Sequence, residues 1–199
     1  LEITADSIVP EAGSKKIIAH TDEPKVTLTK WNDEVSLGIR YTGINHLTQG
    51  SRPFLSKNVH WKEGDITLEA VPIEPTATDD GGMEINVLLD KKPNTNVFSF
   101  QLENWQNLDF FYQPALTPEE IQQGAFRPDN VVGSYAVYHK NKVNHQIGQT
   151  NYETGKAYHI YRPLVIDAKG DTIWATMSYD SGLLTVVVPQ YFLDNASYP

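Results

Sequence analysis

The sequence predicts an all-β protein, an antiparallel β-sandwich of jelly-roll type, and three observations predict it. Short alternations of apolar and polar residues recur along the chain. Turn-forming residues separate them at intervals that suit a sandwich. Helix-capping chemistry stands out at one place. That place is Thr117-Pro118-Glu119-Glu120, closed by Gly124, which predicts one short helical turn near 118–123.

Taken in order, residues 1–24 read as an N-terminal arm or peripheral strands, because Leu1-Glu2-Ile3 and Lys15 to His20 are short apolar runs broken by loop chemistry. Residues 25–199 then read as a single β-sandwich domain, with no linker that divides them. Lys25 to Tyr41 predicts a hairpin: Val26 and Leu28 alternate with Thr27 and Thr29, Asn32-Asp33-Glu34 turns, and Val35, Leu37 and Ile39 alternate with Ser36, Gly38 and Arg40. Gly43 to Pro53 is loop-like, and His60 to Val71 predicts strands around Gly64-Asp65. The run from Pro72 to Gly82 reads as an exposed loop. Further strands are expected at Glu84 to Leu89, Asn96 to Leu102 and Leu108 to Tyr112. The last third predicts strands at Ser134 to Lys140, Lys156 to Arg162, Leu164 to Asp167, Thr172 to Ser178 and Leu183 to Val188. Ala168-Lys169-Gly170-Asp171 and Tyr179-Asp180-Ser181-Gly182 are hairpin turns, with glycine where a positive φ is needed.

Charge narrows the partners. A formal net charge of −9, with 16 basic residues scattered among 25 acids, argues against nucleic acid and against an anionic membrane surface. With no cysteine, disulfides and thiolate chemistry are excluded. No stretch approaches the roughly 20 apolar residues of a membrane span. The chain opens at Leu1 without a signal-peptide pattern, so either a leader has been removed or the numbering begins inside a longer polypeptide.

Candidate sites are few. His139 and His159, with Tyr135, Tyr161 and Asp167, would come together if their strands pair, and two histidines on one face suit metal binding or acid–base work. Cross-strand aromatic pairing explains them more simply. Asp79-Asp80-Gly81-Gly82 with Glu84 offers oxygen ligands for calcium but lacks the alternating acidic pattern, and Asp167 to Asp171 reads as a turn. Glu103, Asp109, Glu119 and Glu120 are available carboxylates without a distinctive context, and Ser134 lacks a nucleophile elbow. No catalytic residue, cofactor or metal is therefore expected. Trp31, Trp61 and Trp105 fall at or near strand ends and are the candidate interface or glycan-stacking aromatics, whereas Trp174 reads as core.

Two stretches carry a resemblance. The first runs through Pro93-Asn94-Thr95-Asn96-Val97-Phe98-Ser99-Phe100, Leu108-Asp109-Phe110-Phe111-Tyr112-Gln113-Pro114 and Asn130 to Tyr135-Ala136-Val137-Tyr138-His139. The second is Thr154-Gly155-Lys156-Ala157-Tyr158-His159-Ile160-Tyr161-Arg162-Pro163, ending in Pro189-Gln190-Tyr191-Phe192-Leu193-Asp194-Asn195-Ala196-Ser197-Tyr198-Pro199. Together they resemble β-rich structural proteins of tailed phages and environmental bacterial surface proteins, over about half the chain. The closing segment is similar to one that runs on into a further strand and domain, which would make this chain a processed product or a shorter version. No activity comes with the resemblance. What it implies is a setting, the virion or cell surface.

The expected function is thus that of a non-enzymatic structural protein on a phage virion surface, a capsid decoration (cement) or tail-associated protein. Its partners would be other virion proteins and further copies of itself. The alternative is a carbohydrate-binding or adhesin module of a secreted bacterial protein, extracellular or at the cell surface, with a glycan as ligand. A glycan-degrading enzyme is the third reading, and it needs two facing carboxylates in a cleft.

Overall fold

Antiparallel ladders build nearly all of the regular structure, as the alternation predicts. The computed structural model describes residues 2–3, 7–9, 11–12, 15–20, 22–31, 33–47, 58–74, 76, 81–141, 144–147, 150–153 and 155–199. The first strands are β1 (Glu2–Ile3), β2 (Ser7–Val9), β3 (Glu11–Ala12), β4 (Lys15–His20), β5 (Lys25–Lys30) and β6 (Val35–Tyr41). After them come β7 (Val59–Glu63), β8 (Ile66–Ile73), β9 (Gly82–Leu89), β10 (Val97–Glu103) and β11 (Leu108–Tyr112). Helix α1 (Pro118–Gln122) precedes β12 (Tyr135–His139), β13 (Asn144–Ile147), β14 (Thr150–Glu153) and β15 (Lys156–Ile160). The chain closes with β16 (Leu164–Ile166), β17 (Thr172–Trp174), β18 (Thr176–Asp180), β19 (Leu183–Val187) and a second helix, α2 (Gln190–Asn195).

The largest sheet runs β1-β2-β4-β5-β6-β10-β19-β18, with β3 paired to β4. Its register explains its two faces. Ile17 sits beside Leu28 and Leu37, Ala19 beside Val26 and Ile39, Tyr41 beside Phe100 and Leu184, and Val186 between Phe98 and Met177. Paired residues of an antiparallel ladder share a face, so these side chains form one unbroken apolar surface. Lys25, Arg40, Ser36, Gln101, Ser99 and Thr185 alternate onto the other face. Residues 15–20 thus belong to the main sheet, and Ile17 and Ala19 are buried in its core.

Two three-stranded sheets, β7-β8-β9 and β11-β12-β15, contribute to that same core. A side-chain hydrogen bond to the large sheet ties each of them down. The indole nitrogen of Trp61 donates to the His20 carbonyl at 2.7 Å, and the Tyr158 hydroxyl donates to the Leu28 carbonyl at 2.9 Å. Burial of that phenol pushes the Tyr158 pKa upward, and Tyr41, buried by the same apolar layer, is raised to about 12. Apolar burial is the main driving force here, and each buried aromatic contributes on the order of 2–3 kcal/mol to it.

Three local predictions are corrected. Thr172 to Ser178 is not one strand: Ala175 breaks it, its N–H donating to the Pro163 carbonyl, so β17 pairs with β16 and β18 with β19. Trp174 is half-buried rather than core, with the Arg162 guanidinium 5.5 Å from its ring. The single helical turn has company, because α2 forms beyond Pro189 and places Leu193 in the core. Residues 79 and 80 of the Asp79-Asp80-Gly81-Gly82 segment lie outside the described residues, while Gly82 opens β9.

Candidate functional site

The histidine pair is separated by strand parity. β12 and β15 do pair, with Ala136 opposite His159 and Val137 opposite Tyr158. His139, odd-numbered along β12 like Val137, therefore points inward, whereas His159 shares the outer face with Ala136. Inside, His139 is 8% exposed, meets Trp31 edge to face at 6.3 Å and engages the backbone of Asn141 through Nδ1. Among the described residues no group of three or more His, Asp or Glu is placed to hold a metal ion. Asp167 serves its turn: Oδ1 accepts from the N–H groups of Lys169 and Asp171, and Oδ2 from Ser197, which holds its carboxyl below the usual range.

Two of the three tryptophan candidates are interior. Trp61 is wholly buried. Trp31 is 7% exposed, turned inward by a left-handed backbone (φ 53°) after β5. Both are removed from any surface platform. Trp105 is half-buried in a 3₁₀ turn, edge to face with Tyr179 at 6.4 Å. Among the carboxylates, Glu103 pairs with Lys25 at 3.4 Å, Asp109 is exposed on β11, and Glu119 and Glu120 lie on α1. Glu120 is committed to the predicted capping box, taking the Thr117 N–H at 2.7 Å while its own N–H donates to Thr117 Oγ1.

At the surface, His159 and Tyr161 of the predicted cluster are joined by Phe111 and Tyr138, which the sequence does not single out as site residues. On the outer face of β11-β12-β15, Phe111, Ala136 and His159 form one cross-strand row, and Asp109, Tyr138 and Lys156 the next. Phe111 is about half exposed and meets Tyr138 edge to face at 5.6 Å. His159 lies over Tyr161 with ring centres 4.4 Å apart, and Tyr161 is also half exposed. A small residue, Ala136, sits between the two ring pairs.

Ser134 fixes the imidazole. Its side chain is fully buried, with Oγ 2.7 Å from His159 Nε2, and His159 Nδ1 has no hydrogen-bond partner among the described residues. Burial, helped by the charge of Lys156, lowers the His159 pKa and keeps the ring neutral near pH 7. The pair has the spacing of a serine and histidine in a hydrolytic triad, but His159 Nδ1 has no orienting partner among the described residues and this serine is closed to solvent. Its visible work is to position a surface ring.

The connection from β11 to β12 carries exposed apolar side chains of its own. It is pinned at its base, where Gln113 N–H donates to the Ser134 carbonyl and Gly133 N–H to the Gln113 carbonyl. Beyond that base it carries α1, no residue of which is buried, and the exposed Ile121 and Phe126. A separate cleft of about 430 Å³ lies between the β4–β5 turn and the segment after β6, lined by Glu23, Arg40 and His46 among others. Its groups are partly spent on the fold: Glu23 pairs with Lys25, and Glu63 accepts the backbone N–H groups of Asn45 and His46.

No protein-family model matches this chain, and no curated protein or solved structure is significantly similar to it.

Proposed function

We propose that this chain is a non-enzymatic structural protein of a phage virion surface, a capsid decoration or tail-associated protein, and that it works by subunit association. The observation that carries the association is the outer face of β11-β12-β15, where Phe111, Tyr138, His159 and Tyr161 stand as a ring surface. An antiparallel sheet with one solvated face ordinarily turns polar residues outward. Aromatic side chains there supply large, stiff contact area at low entropic cost, the composition of interface cores. The virion setting rests on the resemblance of the segments from about Asn86 onward and on the acidic charge, which suits a particle surface kept clear of nucleic acid.

A second reading is favoured by the same rings: half-exposed aromatic faces in a row also stack on sugars, as in a carbohydrate-binding or adhesin module of a secreted protein. The experiment compares wild type with Phe111→Asp and Tyr161→Asp. Virion association predicts that the chain is recovered in many copies on purified virus particles and that both variants are lost from them. Absence from particles, together with a glycan-array signal that either substitution abolishes, would overturn the virion assignment in favour of the adhesin.

A further inference from the structure

The sheet edges of this molecule are treated unequally. At β18, the edge of the large sheet, the Tyr179 N–H is taken by the Tyr135 hydroxyl at 3.0 Å, and just before the strand Ala175 donates to the Pro163 carbonyl. Side chain and loop thereby blunt that edge against strand addition. β9 ends the β7-β8-β9 sheet without such protection.

The register states which backbone groups β9 leaves open. Asp90 N–H donates to the Asp65 carbonyl at 2.9 Å, and the ladder continues unbroken from Ile66 opposite Leu89 to Ile73 opposite Gly82. Asp65 and Asp90 are thus a hydrogen-bonded pair, and every second pair after them is bonded: Thr67 with Leu88, Glu69 with Asn86, Val71 with Glu84. Met83, Ile85, Val87 and Leu89 therefore aim their N–H and C=O groups away from β8, and none of these groups has a partner among the described residues. Gly82–Leu89 contains no proline, no lysine and no bulge, the usual devices that guard an edge.

We propose that this edge is a homodimer interface, in which β9 of one copy pairs antiparallel with β9 of a second copy about a two-fold axis through Asn86. The strand is complementary to itself in that register. Ile85 faces Val87 of the second copy and Met83 faces Leu89, so all the outward backbone groups bond each other. The side chains of these residues already pack on the apolar core side, which the pairing continues across the axis. On the opposite face Asn86 meets Asn86, and Glu84, the strand's one charge, meets the exposed Leu88. Moving the axis to Val87 sets Glu84 against Asp90, and moving it to Ile85 leaves Leu89 unpaired. The inference rests on the β9 edge and not on the aromatic face, so the two readings fail separately.

Sedimentation velocity of the full chain tests it. A 22.4 kDa species should give way to one of twice that mass as concentration rises through the micromolar range. Leu88→Glu sets a carboxylate against Glu84 at both ends of the pairing and should weaken the dimer roughly tenfold. Leu88→Lys should hold it or tighten it, and Glu84→Lys with Leu88→Glu should restore it. Thermal melts matched to wild type certify the fold, since both side chains are exposed in the monomer. A strictly monomeric chain at every concentration, or a dimer indifferent to Leu88→Glu, overturns the proposal.

Discussion

Trp61→Ala tests how the smaller sheets are held to the large one. The ring is wholly buried on the core side of β7, directly opposite Leu68, and its N–H reaches across to the His20 carbonyl on β4. Removing a ring of about 200 Å² at ~25 cal/mol/Å² gives a transfer loss near 5 kcal/mol, an upper figure because the unfolded chain already hides part of it. Aromatic-to-alanine changes in cores cost about 3–5 kcal/mol, and loss of the hydrogen bond adds roughly 1. Against a total stability of about 5–15 kcal/mol, the variant should surrender about a quarter of it or more. Trp61→Phe keeps most of the ring and loses the bond, so it should cost about 1–2 kcal/mol. Urea unfolding at 25 °C, followed by circular dichroism, measures both. If Trp61→Ala falls within about 1 kcal/mol of wild type, the tryptophan is not the anchor between β7 and β4, and the layering argued from it is wrong.

Three further outcomes are expected. Tyr135→Phe removes the hydroxyl that accepts the Tyr179 N–H, so it should lose about 1 kcal/mol and speed hydrogen exchange at the Tyr179 amide. His159 has a folded pKa below the ordinary imidazole value of about 6.5, so the unfolded chain binds the proton more readily; stability should fall as pH drops below 6.5, and His159→Gln should flatten that slope in unfolding curves taken from pH 7 down to pH 5. Gly182→Ala places a methyl group at φ 90° against the Trp105 indole nitrogen, and should cost on the order of 1–3 kcal/mol by chemical denaturation, with partial recovery when Trp105→Ala makes room.

Much of the architecture was legible because it is local. The hairpin from Lys25 to Lys30 and from Val35 to Tyr41 follows from alternation on both sides of a turn, and Phe98, Phe100 and Leu102 occupy the buried face that their spacing announces. The capping box at Thr117 and Glu120 is read from side-chain chemistry within one turn. What sequence spacing lacks is pairing. It counts strands but not which strands meet, so the order of strands within each sheet went beyond it, and the break at Ala175 depends on a carbonyl supplied by Pro163. α2 has no side-chain cap bond to announce it, and the hairpin of β13 and β14 was not anticipated.

His159 and Tyr161 of the candidate site were legible in the sequence, and the rest was missed for a reason of the same kind. Tryptophan at a strand end reads as exposed only if the turn continues outward, and at Trp31 a left-handed residue turns the ring into the core beside His139. Phe111 and Tyr138, by contrast, look like core residues in a linear reading, since Leu108 to Tyr112 is nearly all apolar or aromatic. Parity assigns their direction: Leu108 and Phe110 share the inner face with Val137, which leaves Phe111 and Tyr138 outside. A signal was present in the run Asp109-Phe110-Phe111-Tyr112, where adjacent rings must point to opposite faces of one strand, so that one of them is outward whatever the register.

Edge protection carries the same logic from faces to backbone. A tyrosine hydroxyl spent on the amide of Tyr179 guards the β18 end of the largest sheet, and the β9 edge has no equivalent among the described residues. Solvation of the open β9 groups makes the monomer viable, yet the apolar side chains of Met83, Ile85, Val87 and Leu89 alternate with a single acid in an arrangement that repels no second copy. The net charge of −9 opposes encounter between two copies at long range, while the paired strands themselves bring no acid against an acid. Raising salt from 0.05 to 0.5 M should therefore strengthen the β9 dimer by screening the global repulsion, the reverse of what an interface built on ion pairs would show. A dimer that dissociates as salt rises would place the contact on the charged surfaces and away from β9.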